Sequence, residues 1–298
     1  MLSILIAQYN YDVRSLIDGL LLQLSRAGIK FEIIVIDDFS DKNYISLNDK
    51  ILINENVSIY RNSTNKGRSY SRNLLAEKAQ YDNLLFIDCD AEIYSEKFII
   101  NYLSAIEDYD VICGGTVYDK EYPGDKYVLR WRYGKKREEI ASSKRSEISH
   151  RSFSSFNFLI RKELIIKAGF DKSIRKYGHE DTLFGIQLLN NKLRIKHIDN
   201  PLIHKGVENN EVFVSKSLEA LDNLFYLYNN HSLHNELTEN IKILAYYKNY
   251  RSKGFHILFK IFYQIFNKLI LKNLLSSKPN LTLFDIYKLG YLCSRRVS

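Results

Sequence analysis

Along the first half of the chain, short apolar runs are each closed by polar residues. Leu2-Ser3-Ile4-Leu5-Ile6-Ala7 predicts a buried strand. Across 12–26 the apolar positions are Val13, Leu16, Ile17, Leu20, Leu21 and Leu24, a helical period that Gly28 ends. Residues 31–36 predict a second strand, running into Asp37-Asp38. A third strand is predicted at 57–60, a helix at 67–78, and a fourth strand at 84–87, closed by Asp88-Cys89-Asp90. A helix at 96–107 and a strand at 111–113 follow. Strands alternating with helices predict an α/β fold with a mostly parallel, doubly wound sheet. Ligands of such sheets bind beyond the carboxyl ends of the strands. Gln8 to Asn10, Asp37, and Asp88 to Asp90 then share one rim.

The pattern changes at 118–151, which is polar and basic, with Arg130-Trp131-Arg132-Tyr133 and Lys135-Lys136-Arg137. With no clean period there, loops and short pieces over the cleft are expected. Order returns with a strand at 156–160, a helix at 162–168 and Gly169. A helix at 181–189 and short strands at 193–198 and 202–204 follow. From Ser215 the pattern is helical. The expected division is a sheet domain at 1–210 and a helical region at 211–298.

Charge sharpens that division. The chain of 298 residues carries 43 basic and 35 acidic side chains, a formal +8. Residues 241–298 hold 11 Lys or Arg against one acid, Asp285, while the first 240 hold 32 against 34. A near-neutral body with a basic tail argues against a body that wraps nucleic acid, and for a basic appendage with its own partner. Lys253, His256, Lys260, Gln264, Asn267, Lys268 and Lys272 form a polar stripe beside a wide face of Ile, Leu, Phe and Tyr. A basic amphipathic helix of this kind suits an anionic membrane surface, or packs on the body with its basic edge in water. The three cysteines show no metal-type spacing, so a reducing compartment is expected. Neither a leader nor a run of 18 apolar residues stands out, so a cytoplasmic protein is expected.

Several short motifs have candidate chemistry. Asp88 and Asp90 at a strand end can converge on one hard divalent cation, or close a polar turn. Asp37 can accept a hydrogen bond from a nucleobase, or cap a turn. Asn65-Lys66-Gly67-Arg68 with Arg72-Asn73 places basic residues at a helix start, which suits anions and also suits an ordinary solvated boundary. Glu180-Asp181 opens a helix, where an acid can serve as general base or simply answer the helix dipole. His204 ends a strand.

Taken in order, these residues resemble the family-2 glycosyltransferases of the GT-A fold. The resemblance runs from Leu2 to about Gly206. It rests on a strand ending in Tyr9-Asn10, on Asp37-Asp38 with Ser40-Asp41, and on Asn65 to Asn73. It continues through Asp88-Cys89-Asp90, the strand at 156–160, Ala168-Gly169-Phe170-Asp171, Glu180-Asp181 and His204. Ala7-Gln8 stands where the family commonly has Pro-Thr. The resemblance implies inverting transfer of a sugar from a nucleotide-sugar donor, a UDP-sugar, with Mn²⁺ or Mg²⁺ as cofactor. It implies Asp37 at the base, Gln8, Tyr9 and Arg72 at the nucleotide, and Asp88 at ribose or metal. Asp90 and His204 become metal ligands, Asp181 the general base, and Glu180 an acceptor contact. With the basic tail, the expected acceptor is a lipid-linked glycan at the inner face of the cytoplasmic membrane. A sugar-1-phosphate nucleotidyltransferase would want a Gly-rich loop after the first strand, and residues 8–12 hold no glycine. A non-catalytic carbohydrate-binding relative would have no need of both acids at 88 and 90.

Overall fold

A computed structural model describes residues 1–106, 109–172, 174 and 178–295. In chain order the elements are β1 (Leu2–Gln8), α1 (Arg14–Ala27), β2 (Phe31–Asp37), α2 (Lys42–Asn48), β3 (Val57–Arg61), α3 (Arg68–Lys78), β4 (Asn83–Asp88), β5 (Ala91–Ile93), α4 (Phe98–Leu103), β6 (Val111–Cys113), β7 (Thr116–Val117) and α5 (Val128–Arg137). Then come α6 (Ser142–Ser146), β8 (Asn157–Arg161), α7 (Lys162–Ala168), α8 (Glu180–Asn190), β9 (Ile195–His197), β10 (Leu202–His204), α9 (Asn210–Asn230), α10 (His234–Asn240), α11 (Lys242–Ser252), α12 (His256–Leu274) and α13 (Leu281–Ser294). The chain separates into two compact units.

The first unit holds residues 1–119, 138–175 and 183–206. Its main sheet has the order β3-β2-β1-β4-β8-β6-β9. The pairs among β1 to β4 are parallel, as is β6 with β9, and β8 runs antiparallel between β4 and β6. The strands β1, β2 and β4 are buried along nearly their whole length, which is why they read as continuous apolar runs. Leu16, Ile17, Leu20 and Leu24 of α1 cover one face with Phe98, Ile99 and Tyr102. Leu75, Ala76, Ile165, Phe170 and Phe184 cover the other. A small sheet, β5-β10-β7, stands apart from this one.

The second unit gathers residues 207–298 with two earlier pieces, 120–137 and 176–182. Its core joins Leu129 of α5 to Phe213 and Val214 of α9, Ile270 and Leu274 of α12, and Leu281, Phe284 and Tyr287 of α13. The expectation of loops across 118–151 is therefore corrected: α5 and α6 are helices. The sequence hid α5 because its apolar side is short, and most of its remaining positions are cations. Its first turn is held from a distance, the Leu129 amide donating to Asn210 Oδ1 at 2.9 Å. Among the described residues no helix is long and apolar enough to cross a membrane. One side of α12 lies open, with Leu258, Ile261, Ile265 and Leu269 all exposed.

Candidate active site

Strand register builds the rim of the first unit. Gln8 pairs with Asp37, and Ala7 with Asp88, so three strand ends arrive side by side. Asp37 is buried, and its Oδ1 accepts the Ser40 amide at 2.8 Å. Gln8 is also buried. Its Oε1 accepts from Ser40 Oγ at 3.3 Å, and its Nε2 has no hydrogen-bond partner among the described residues. Tyr9 beside it is 52% exposed. The neighbouring Asp38, which sequence reasoning passed over as a site residue, organises the next loop. Its carboxylate accepts the amides of Lys66 and Gly67 at 2.8 Å each, and Asn62 Nδ2 at 2.7 Å. Gly67 there has φ 87°, a left-handed conformation that glycine adopts without strain.

Arg72 lies on the buried side of α3 and donates to Asp88 Oδ1 at 2.7 Å, with its guanidinium 5.3 Å from the Phe170 ring centre. Burial pushes the Asp88 carboxyl up, but the Arg72 and Arg68 charges and the Arg72 hydrogen bond outweigh it and hold it below the usual carboxylate range. Between the two acids, burial and then the Asp90 and Asp88 charges push the Cys89 thiol to about 12. Cys89 is therefore no nucleophile at neutral pH.

Asp90 and His204 meet because β5 and β10 run antiparallel with Ala91 opposite His204. The Lys205 amide donates to the Asp90 carbonyl at 2.8 Å, fixing that register. His204 Nε2 lies 3.5 Å from Asp90 Oδ2. The imidazole is held between the Tyr118 and Phe156 rings, at 5.3 and 5.4 Å. Gly206 completes the arrangement, since a Cβ there would come within 2.1 Å of Asp90 Oδ2. Nothing in the local sequence signals that need, because the crowding atom comes from another strand. Among the described residues no three His, Cys, Asp or Glu side chains form a metal-holding group. Asp88 is turned to Arg72, which leaves Asp90 and His204 as a two-donor set. A carboxylate and an imidazole suit a divalent cation whose remaining ligands come from a substrate.

Glu180 and Asp181 belong to the second unit. They open α8 and face the favourable end of its dipole. Glu180 is buried, and its Oε2 has no hydrogen-bond partner among the described residues. Before them, Gly178 and His179 both have positive φ, 99° and 72°. Gly178 sits so close to α9 that a Cβ would lie 2.6 Å from Ala220 Cβ, and its carbonyl accepts Asn223 Nδ2 at 2.7 Å. Burial pushes the His179 imidazole down to about 4. This seat on α9 was not foreseen from sequence.

A family model described as glycosyl transferase family 2 matches residues 3–169. The chain belongs to glycosyl transferase family 2. The matched stretch of this family-2 chain contains Gln8, Asp37, Arg72, Asp88 and Asp90, while Glu180, Asp181 and His204 lie beyond it. Two uncharacterized glycosyltransferases of Haemophilus influenzae are similar. One is 35% identical over 98 residues, covering 33% of this chain and 39% of that relative. The other is 34% identical over 103 residues, covering 33% and 32%. The match thus spans two fifths or less of these curated relatives. Among solved structures, a mannosyltransferase from Pyrobaculum calidifontis in complex with GDP-Man and Mn²⁺ aligns with TM-score 0.52 at 13% identity, over 79% of this chain and 67% of that one. TarS 1-349 of S. aureus in complex with UDP-GlcNAc aligns with TM-score 0.50 at 19% identity, over 86% and 75%. These likenesses establish the GT-A fold of the family-2 chain.

Proposed function

We propose that this family-2 glycosyltransferase carries out inverting, metal-dependent sugar transfer from a UDP-sugar to a hydroxyl of a lipid-linked glycan, in cell-surface polysaccharide synthesis. The observation that carries this reading is the meeting of Asp90 with His204, on a rim where Arg72 already engages Asp88. The complexes of the two structural neighbours, one with UDP-GlcNAc and one with GDP-Man and Mn²⁺, support a nucleotide-sugar donor and a divalent metal. Asp37 and Gln8 hold the base, the orphaned Gln8 Nε2 donating to one of its carbonyls, and Tyr9 covers it. Arg72 faces the nucleotide and orients Asp88 toward the ribose. Asp90 and His204 hold Mn²⁺ or Mg²⁺, which when bound offsets the charge of the departing diphosphate. Asp181 accepts the proton of the attacking hydroxyl through its carboxylate, and Glu180 hydrogen-bonds the acceptor through its unpartnered oxygen. Attack from the face opposite the leaving group inverts the sugar without a covalent enzyme intermediate.

The lipid-linked acceptor and a site of action on the inner face of the cytoplasmic membrane rest on the basic tail and the open apolar side of α12. A donor screen for metal-dependent hydrolysis and transfer tests the chemistry. Asp181→Asn is expected to retain donor binding and lose transfer by about 10²–10⁴-fold. Full transfer in that variant would remove Asp181 from the role of base. Vesicle flotation of the full chain tests the location. Leu258→Gln with Ile265→Gln should abolish flotation on anionic vesicles, and unchanged flotation would count against a membrane role for α12.

A further inference from the structure

Within the second unit, α5, residues 278–280 and the start of α13 border a solvent-open cavity of about 670 Å³. Its lining comprises Trp131, Arg132, Lys135 and Lys136 of α5, residues 278–280, and Leu281 and Thr282 of α13. Four of these side chains are cations and none is an acid. Arg132, Lys135 and Lys136 stand at helical spacings of 3 and 4, so three like charges share one side of one helix. That arrangement destabilises an isolated helix. The nearest acid along α13, Asp285, is already engaged by Arg137 at 2.5 Å and by Lys288 at 3.4 Å, outside the cavity lining. The wall is nonetheless built. Arg132 donates to the Pro279 carbonyl at 3.0 Å, and Trp131 packs edge-on against Tyr122 at 6.2 Å. The first turn of α13 lines the same space, with its Thr282 and Leu283 amides capped by Asn280 Oδ1 at 2.8 and 3.1 Å.

We infer that this cavity binds a diphosphate or phosphomonoester group, separate from the nucleotide-binding rim of the first unit. Concentrated positive charge in a concave site raises the local concentration of anions, and an arginine fork matches phosphate oxygens in pairs. An indole beside the cations supplies an apolar wall for whatever carries the phosphate. A lipid headgroup and a phosphorylated soluble glycan offer the same chemistry. The inference deepens the proposed function by naming the group through which an acceptor is gripped. It rests on that reading only for the identity of the carrier.

The test is titration of the full chain with inorganic diphosphate, read calorimetrically in EDTA and in an Asp90→Ala background. These conditions silence metal-dependent binding at the rim, so the result does not depend on transfer. Lys136→Gln with Lys278→Gln should weaken binding by about tenfold or more. A matched pair away from the cavity, Lys242→Gln with Lys248→Gln, should leave it within about twofold. Equal weakening by both pairs, or no saturable binding, overturns the inference. Arg132→Lys checks geometry: it keeps the charge, and unchanged affinity would remove the paired contact. Flotation on phosphatidylcholine vesicles with and without phosphatidic acid identifies the carrier. Binding that requires phosphatidic acid and is displaced by diphosphate assigns a lipid. Diphosphate binding in solution without that displacement assigns a soluble phosphorylated partner.

Discussion

The rim of the first unit and the basic cavity of the second handle charge in opposite ways. At the rim each acid is matched: Asp88 by Arg72, Asp90 by His204, Asp38 by three donors. The cavity gathers four cations and no acid. A buried charge left unmatched costs several kcal/mol, so the rim must be assembled to close tolerance before any ligand arrives. Cations lining a solvent-open cavity are screened by water and salt, so gathering them there costs less than burying an unmatched charge. The contrast teaches where precision is needed. Rim residues have one correct position, whereas the lysines of the cavity act by number and proximity.

Asp90→Ala attacks the precise side and has the largest expected effect. Metal-dependent donor turnover should fall by about 10²–10³-fold, the size of losing one placed electrostatic stabiliser. Vesicle binding should not change. A variant that lost both together would dissolve the contrast. Phe284→Ala attacks the other unit through its core, where Phe284 is fully buried against Phe213 and Tyr133. It should destabilise the protein by about 3–5 kcal/mol in chemical denaturation, with the donor KM of the surviving folded fraction unchanged. Gly206→Ala tests tolerance at the rim with one methyl group. Asp90 must move away, and the metal concentration for half-maximal activity should rise about 10–100-fold, with little loss of thermal stability. A normal metal requirement would mean that Asp90 moves aside at no cost.

Acid should weaken both units. His197 in the first and His179 in the second are each lowered to about 4, chiefly by burial. Arg145 donates to His197 Nδ1 at 2.9 Å, and His197 Nε2 donates to the Ser149 carbonyl, so the ring is neutral. An exposed histidine takes up its proton near 6.5. The stabilisation is thus complete above about pH 6.5 and declines as pH falls toward 4. The urea midpoint should drop between pH 7 and pH 5, and His197→Gln should reduce that drop. A midpoint equal at both pH values would show that the rings titrate freely.

Much of the first unit was readable because β1, β2 and β4 are buried on both faces, so burial wrote itself as uninterrupted Ile, Leu and Val. The acids that close those strands were readable for the same reason, as abrupt polar endings. Other parts had no local trace. The Asp90–His204 contact depends on an antiparallel register between three-residue strands, each too short for a period. Gly206 answers to a carboxylate 116 positions earlier in the chain. Helix α5 was misread because few of its side chains are apolar, and its stability comes from Asn210 and the α9–α13 core instead.

That origin of α5 also bears on how the chain is made. Leaving the ribosome, α5 precedes Asn210 by some 80 residues and Phe284 by about 150, so it must wait for them. The main sheet closes with β9, at residue 197. It has all its strands while the second unit still lacks its later helices. Loop closure over such distances is slow, and the waiting segment is rich in exposed cations rather than in apolar surface. A nascent chain paused at this stage exposes cations in this segment rather than an apolar face, and the charge that obscured the helix in the sequence would keep it solvated during synthesis.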